Sequence, residues 1–117
     1  MQRKGRILIT NDTFDVILAI LKYLEDSMDD ERIDFSKVNA EALGISEPRY
    51  NRILSIMIEE GYLTGLTAVP IPGQTYDSYK AIDPCITMFG IETLKDNTLS
   101  AKALRFAKAI KEWIPGY

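Results

Sequence analysis

The sequence contains no histidine and a single cysteine, Cys85. Without histidine, the chain cannot form a Ser-His-Asp or Cys-His nucleophile system, a histidine general base or a histidine metal site. One cysteine excludes a disulfide within the chain and a four-thiolate zinc site. Cys85 has no neighbouring base that would make it a thiolate, so we expect it to be a small buried apolar side chain. Such sparse use of cysteine suits a reducing cytoplasm, which is the expected compartment.

Long hydrophobic runs are also missing. The longest unbroken apolar stretch, which begins at Val16, is far too short to span a bilayer, so we expect no membrane partner. The sequence has no Gly-rich phosphate loop and no credible pair of catalytic carboxylates. The acidic residues around residue 30 lack the glycine and the spacing of a calcium loop. The sequence therefore predicts a protein that is not an enzyme and that holds no cofactor and no metal.

The 117 residues are enough for one domain, and 46% hydrophobic with 26% charged residues is typical of a globular protein. The net charge of −3 is unevenly distributed. Residues 1–11 and 100–117 each carry +3, whereas residues 12–35 carry −6. An acidic middle between basic ends differs from the clustered basic surface that nucleic acids require.

The first half of the chain predicts helices separated by one short strand. Apolar residues at helical spacing predict a first helix over residues 12–27. Its expected buried stripe consists of Phe14, Ile17, Leu18, Leu21 and Leu24. Residues 32–35 alternate between polar and apolar, as a brief strand does. Ser36 can cap a second helix over residues 37–43.

The most informative local pattern is the turn that follows this second helix. Ala40 is small enough for two helices to approach closely, and Gly44 can adopt the positive φ of a helix C-cap. Ile45 is expected to fill the core, and Ser46 can cap a third helix over residues 47–60. The buried stripe of that helix should consist of Tyr50, Ile53, Leu54, Met57 and Ile58. This arrangement predicts a helix-turn-helix.

A hairpin and two further helices complete the predicted order of elements. Residues 62–69 and 78–82 predict two strands, with a Pro- and Gly-rich loop over residues 70–77. Pro70 is expected to lie outside the paired region, and Asp83-Pro84 is expected to close the hairpin. Thr87 and Ser100 can cap helices over residues 88–96 and 101–113.

The predicted fold is mainly α with a small antiparallel sheet, namely a winged helix-turn-helix with additional C-terminal helices. Residues 1–11 would be a basic N-terminal segment, and residues 12–85 the winged-helix core. Residues 86–117 would form C-terminal helices that pack on the same domain.

Three segments resemble the YjcQ-like family of small bacterial and phage proteins. They are Glu-Gly-Tyr-Leu-Thr-Gly at residues 60–65, Ile-Thr-Met-Phe-Gly-Ile-Glu-Thr-Leu at residues 86–94 and Ile-Lys-Glu-Trp-Ile at residues 110–114. The resemblance covers nearly the whole chain. It implies a winged-helix fold with extra C-terminal helices and a phage or prophage setting. It implies no activity that can be transferred to particular residues.

The third helix carries the leading hypothesis, a DNA-binding transcriptional regulator that acts on double-stranded DNA. Its candidate DNA contacts are Arg49, Asn51, Arg52 and Ser55. Arginine can donate two hydrogen bonds to guanine, and asparagine can pair with adenine in the same way. The alternative is that these residues are the ordinary solvated side of an amphipathic helix.

The wing favours a different function, because it has no lysine or arginine from Leu63 to Tyr79. DNA-contacting wings usually carry basic residues. Ile71, Tyr76 and Tyr79 suit contact with a protein better. The alternative function is therefore a protein–protein interaction module, or a small structural component of a phage system that does not bind DNA.

The predicted last helix carries an apolar seam at 4-3-4-3 spacing. The seam consists of Leu99, Ala103, Phe106, Ile110 and Trp113. It could mediate self-association or could pack on the domain itself, and both interpretations stay open.

Overall fold

The computed structural model describes residues 13–97. Its first helix, α1, covers Thr13–Asp26, within one residue of the prediction at each end. Phe14 is 36% exposed, and the other four residues of the predicted stripe are buried. The additional buried residues of α1 are Val16, Ala19, Ile20 and Tyr23. Because side chains all around α1 are buried, this helix is central to the fold.

The strand predicted at residues 32–35 is wrong, because Asp34 instead begins a 3-10 helix, η1, at Phe35–Val38. The Asp34 carboxylate accepts hydrogen bonds from the Ser36 backbone N–H at 3.1 Å and from the Ser36 hydroxyl at 2.6 Å. A local side-chain acceptor of this kind competes with strand pairing. Phe35 and Val38 are buried, so the turn still delivers apolar side chains to the core.

The second helix is shorter than predicted and has a different cap. α2 covers only Ala40–Leu43. The side chain of Asn39, rather than that of Ser36, accepts a hydrogen bond from the Ala42 backbone N–H at 2.8 Å. Asn39 interrupts the helical φ and ψ between η1 and α2, which is why residues 37–43 do not form one helix.

The predicted helix-turn-helix is confirmed. Gly44 adopts φ 74° at the C-cap of α2, and its N–H donates to the carbonyls of that short helix. Ile45 is buried. α3 covers Glu47–Glu60, and its N-cap Ser46 accepts a hydrogen bond from the Arg49 backbone N–H at 3.2 Å. A left-handed glycine and a serine N-cap together set the change of direction between the two helices.

The wing is an antiparallel hairpin of β1 (Leu63–Pro70) and β2 (Asp77–Ile86). β1 is shifted by one residue from its predicted position, and β2 is longer than predicted. Pro70 pairs with Asp77 at the end of the ladder, so the expectation that it lies outside the paired region is wrong. Proline is tolerated there because a strand end needs fewer backbone donors.

The expectation that Asp83-Pro84 closes the hairpin is also wrong, because Pro84 is buried inside β2. The register shifts between Thr64 and Leu66, so three residues of β2 lie opposite Gly65. Gly65 has φ 89°, and a Cβ at this position would overlap the Asp83 carbonyl. This bulge accommodates a proline within the strand, because the ladder is interrupted there.

The predicted fourth helix is confirmed as α4, which covers Met88–Asp96. The Thr87 hydroxyl accepts a hydrogen bond from the Gly90 N–H at 3.0 Å and donates to the Gly61 carbonyl at 2.6 Å. A Cβ on Gly90 would overlap the Tyr62 carbonyl. α4 therefore begins in close contact with the junction between α3 and β1. The predicted fifth helix and its apolar seam lie outside the described residues, as do residues 1–11.

One hydrophobic core joins these elements, with α1 contacting α3, α4 and β2. Within residues 13–97 the sheet is the two-stranded wing, and the remaining regular elements are helices. The predicted fold class, a mainly α winged helix with a small antiparallel sheet, is confirmed. In this part of the chain, no helix has both the length and the apolar character needed to cross a membrane.

Candidate functional site

The inward side of α3 follows the predicted stripe. Tyr50, Ile53, Leu54 and Met57 are buried, and Ile58 is half-buried against the core. Burial raises the pKa of the Tyr50 phenol, and the negative charge of nearby Glu47 raises it further. The orientation of α3 is therefore fixed by its apolar side, and this orientation decides which polar side chains reach the surface.

Asn51 does not lie on the exposed surface, contrary to the prediction. Only 4% of this residue is exposed. The reason is its position: Asn51 lies three residues before Leu54 and seven before Ile58, so it shares their side of the helix. An adenine edge could reach the Asn51 amide only if the helix rotated or the side chain left the core. The DNA-contact role of this set of residues remains a prediction.

Arg49 is half-buried and joins α3 to α1. Its Nη2 donates a hydrogen bond to the Thr13 Oγ1 at 3.1 Å. The guanidinium thus links the start of α3 to the start of α1, and the two bonded residues are 36 positions apart in the sequence. Arg49 therefore differs in exposure from Arg52, the other candidate arginine of α3.

Arg52 is exposed and is held by the wing. Its Nη2 donates a hydrogen bond to the Thr75 Oγ1 at 3.2 Å. Its Cζ lies 5.2 Å from the centroid of the Tyr76 ring, within the range of a cation–π contact. Ser55, which is half-buried, lies one turn further along α3. Arg52 therefore connects the outer side of α3 to the wing loop, which is residues 71–76 between β1 and β2.

The three wing residues predicted to contact a protein have different surroundings. Tyr79 packs against the core, so it is mainly structural. Ile71 is half-buried at the start of the wing turn, where its carbonyl accepts a hydrogen bond from the Gln74 N–H at 3.1 Å. Tyr76 is half-buried under Arg52. Of the three, Tyr76 is the one that the structure brings next to a candidate residue of α3.

Sequence reasoning missed two members of this surface, Ile56 and Thr75. Ile56 is 41% exposed, one turn after Arg52 on the outer side of α3. The sequence does indicate Ile56, because it is an isoleucine on α3 that falls outside the predicted buried stripe. Thr75 has no comparable signal, because its contact with Arg52 joins residues 23 positions apart.

We call the α3–wing face the surface formed by the outer side of α3 and the wing loop. Its members are Arg52, Ser55, Ile56 and Glu59 of α3 with Gln74, Thr75 and Tyr76 of the wing loop. Residues 13–97 contain seven Lys or Arg and fifteen Asp or Glu. Glu47, Glu59 and Glu60 are exposed on α3. The described part of the chain is therefore strongly acidic, and its α3–wing face combines one arginine with apolar and acidic groups.

Cys85 is half-buried rather than buried, and its thiol donates to the Ile86 carbonyl at 3.4 Å. Among residues 13–97, no group of three or more acidic or cysteine side chains is arranged to hold a metal ion.

Comparison with known proteins identifies a family for this chain. No curated protein and no solved structure is significantly similar to it. The family model described as "YjcQ protein" matches residues 18–113, which is more than half of the chain and includes every element from η1 to α4. The chain therefore belongs to the YjcQ family.

Proposed function

We propose that this protein is a non-enzymatic protein-interaction module of the cytoplasm, which binds a partner protein through its α3–wing face. The resemblance to YjcQ-like proteins of phages supports a phage or prophage setting. The same scaffold would serve in a regulator that acts by binding another protein or in a small component of a phage assembly.

The observation that carries the proposal is the contact of Arg52 with the wing. Its guanidinium donates to Thr75 and lies over the ring of Tyr76. A base contact would require Arg52 to exchange these partners for a guanine edge. An arginine stacked on a tyrosine, by contrast, is a preorganised pair of the two residue types that are enriched in the energetic centres of protein interfaces.

Charge supports the same choice of partner. DNA binding draws its affinity from basic side chains that neutralise phosphates, yet the wing loop has none and α3 exposes three glutamates. Ile56 is exposed and lies three residues before the exposed Glu59, so the two side chains are neighbours on α3, and Tyr76 offers further apolar area beside Arg52. We therefore expect a partner surface that presents apolar side chains bordered by basic ones.

The test is affinity purification of the tagged full-length protein from cells that carry the natural gene, with the bound proteins quantified by mass spectrometry. Ile56→Asp places a charge on the exposed α3–wing face, and Glu92→Lys changes an exposed residue of α4 as the matched control. We expect at least one protein whose recovery falls by about tenfold with Ile56→Asp, the loss typical of a removed apolar anchor. Recovery with Glu92→Lys should equal that of the wild type.

The far-ultraviolet circular dichroism of both variants should match that of the wild type, since both sites are exposed. If every bound protein were recovered equally with wild type and Ile56→Asp, the α3–wing face would not be the binding surface.

A second candidate function, DNA binding, is supported by one observation, the exposure of Arg52 on α3, the second helix of the helix-turn-helix. Its test is a titration with mixed genomic DNA fragments at about 50 mM and about 200 mM salt, because phosphate contacts make binding salt-dependent. Arg52→Ala should weaken binding by about 1–3 kcal/mol if Arg52 contacts a base. Equal binding by wild type and Arg52→Ala would exclude Arg52 from any DNA interface and remove the observation that supports this function.

A further inference from the structure

A groove of about 810 Å³ lies between the loop that follows α1 and the strand β2. One wall is formed by residues 30–36 and the other by residues 81–85, with Met28 beside them. Its volume falls in the range of binding sites for small ligands and peptides. None of its lining residues belongs to α3 or to the wing loop, so this groove is separate from the α3–wing face.

The groove runs along the outer edge of β2. Residues 81–85 of β2 line the groove, and three of them belong to the bulge opposite Gly65. Within the described residues, β2 pairs with β1 alone, and residues 32–35 lie across the groove without pairing. An unpaired strand edge is the feature to which extended peptides add.

The bulge shapes this edge for a short contact. Opposite Gly65, β2 carries Ile82, Asp83 and Pro84. Proline cannot donate a backbone hydrogen bond, so a long regular ladder cannot form along residues 81–85. Recognition must then rely on side chains more than on a continuous ladder.

Each wall carries one acidic side chain that forms no ion pair among residues 13–97. Glu31 and Asp83 lie on opposite walls, and neither forms an ion pair within the part of the chain that the structure describes. The walls hold two further acids, Asp30 and Asp34, and one basic residue, Arg32. Asp34 forms an ion pair with Lys37 at 3.9 Å, so Glu31 and Asp83 are the acids on which the complementarity depends. The groove is therefore complementary to a positively charged occupant.

Exposed apolar side chains accompany these acids. Met28 is 53% exposed and Ile82 is 63% exposed, and both line the groove. Methionine adapts its shape to different partners, and exposed apolar groups beside a groove mark binding surfaces. An extended peptide in which basic and apolar residues alternate would match both features.

We propose that this groove binds an extended basic segment of a partner protein. Lysine or arginine side chains of the segment contact Glu31 and Asp83, while its apolar side chains cover Met28 and Ile82. The contact spans about five residues, or roughly 16 Å of extended chain, which is the length of the β2 wall. This site adds a second point of attachment to the protein and does not depend on the α3–wing face.

Cys85 provides a direct readout, because it is the sole cysteine and it lines the groove. The probe is the peptide acetyl-Lys-Val-Lys-Val-Lys-Val-amide, and the measurement is the rate at which a thiol reagent labels Cys85 in the full-length protein. Labelling should slow by a factor of about 1 + [peptide]/Kd as the peptide occupies the groove. Glu31→Gln and Asp83→Asn should each raise the Kd by roughly two- to fivefold, as loss of one exposed ion pair does.

Three controls make the result specific. Glu92→Gln, an exposed acid outside the groove, and Tyr76→Ala, in the α3–wing face, should leave the Kd unchanged. The acidic peptide acetyl-Glu-Val-Glu-Val-Glu-Val-amide should not protect Cys85. Because the groove shares no residue with the α3–wing face, failure of this peptide test leaves the proposed function standing.

Two outcomes would overturn the proposal. One is labelling of Cys85 that the basic peptide does not slow, or that the acidic peptide slows equally. The other is faster labelling, without any peptide, in the triple variant Arg3→Glu, Lys4→Glu and Arg6→Glu, because the groove would then be occupied by the chain's own basic residues rather than by a partner.

Discussion

Gly65→Ala should destabilise the protein, because Gly65 lies in the bulge between β1 and β2, beside the residues of β2 that line the groove. Gly65 has φ 89°, a left-handed conformation that L side chains rarely adopt. Its added Cβ would overlap the carbonyl of Asp83 and lie 2.9 Å from the Cα of Pro84. These neighbours are backbone atoms, so the substitution must displace the strand itself.

The magnitude separates into two contributions. The left-handed conformation costs roughly 1–2 kcal/mol for a residue with a Cβ. Gly73→Ala measures that contribution alone, because Gly73 has φ 80° and nothing lies within 4 Å of its added Cβ. Displacement of Asp83 and Pro84 should add about 1–3 kcal/mol, the usual cost of overpacking. We therefore expect Gly65→Ala to cost about 2–5 kcal/mol in total.

The assay is urea unfolding of wild type, Gly65→Ala and Gly73→Ala, with the free energies of unfolding compared at equal m-values. Gly65→Ala should also change the labelling rate of Cys85, since the displaced strand forms a wall of the groove. Equal destabilisation by the two substitutions would mean that β1 and β2 do not approach closely at Gly65, and the description of the groove wall would be wrong.

Three further predictions concern α3 and its contacts. Ile53→Ala should lower the free energy of unfolding by about 2–5 kcal/mol in urea, because it leaves a cavity in the core, and a cost near zero would mean that α3 is rotated. Above about pH 10 the wild type should lose up to about 1.4 kcal/mol of unfolding free energy per pH unit relative to Tyr50→Phe. The reason is that the raised pKa of Tyr50 in the folded state lets the unfolded state ionise first. Unfolding free energies of the two proteins that change in parallel with pH would contradict the burial of that phenol. A double-mutant cycle of Arg52→Ala and Tyr76→Ala should give a coupling energy of about 0.5–1 kcal/mol, and additive losses would contradict the contact.

Helix boundaries followed from the sequence because capping is a local signal. Ser46, Gly61 and Thr87 each end or begin a helix where the sequence predicted it. A hydroxyl that satisfies free N–H groups, or a glycine that adopts positive φ, needs few residues beyond its neighbours. The positions of α3 and α4 were therefore predictable.

Elements that depend on competition between signals were less predictable. Residues 32–35 alternate as a strand does, and Ile33 and Phe35 do pack inward. The carboxylate of Asp34 nevertheless accepts hydrogen bonds from the backbone N–H and the hydroxyl of Ser36, and it caps the 3-10 helix that follows. Pro84 was predicted to end the second strand, because proline cannot donate to a regular ladder. The sequence does not reveal that a bulge opposite Gly65 accommodates this proline within β2.

The candidate site was predictable in part. The sequence placed Arg52 correctly on the outer side of α3. Its polarity alone placed Asn51 on the same side, whereas its spacing to Leu54 and Ile58 puts it on the buried side of the helix. The contact between Arg52 and the wing loop depends on how the hairpin folds back on α3. That arrangement is tertiary, and no local pattern encodes it.

The most direct test of the proposed function is photo-cross-linking in cells that carry the natural gene. A benzophenone amino acid replaces Gln74 in the wing loop of the full-length protein, and in the control protein it replaces Glu92 on α4; both positions are exposed. The proposal predicts a discrete adduct from position 74 that protease destroys and nuclease does not, and no such adduct from position 92. An adduct from position 74 that nuclease destroys would contradict it and identify the α3–wing face as a nucleic-acid interface.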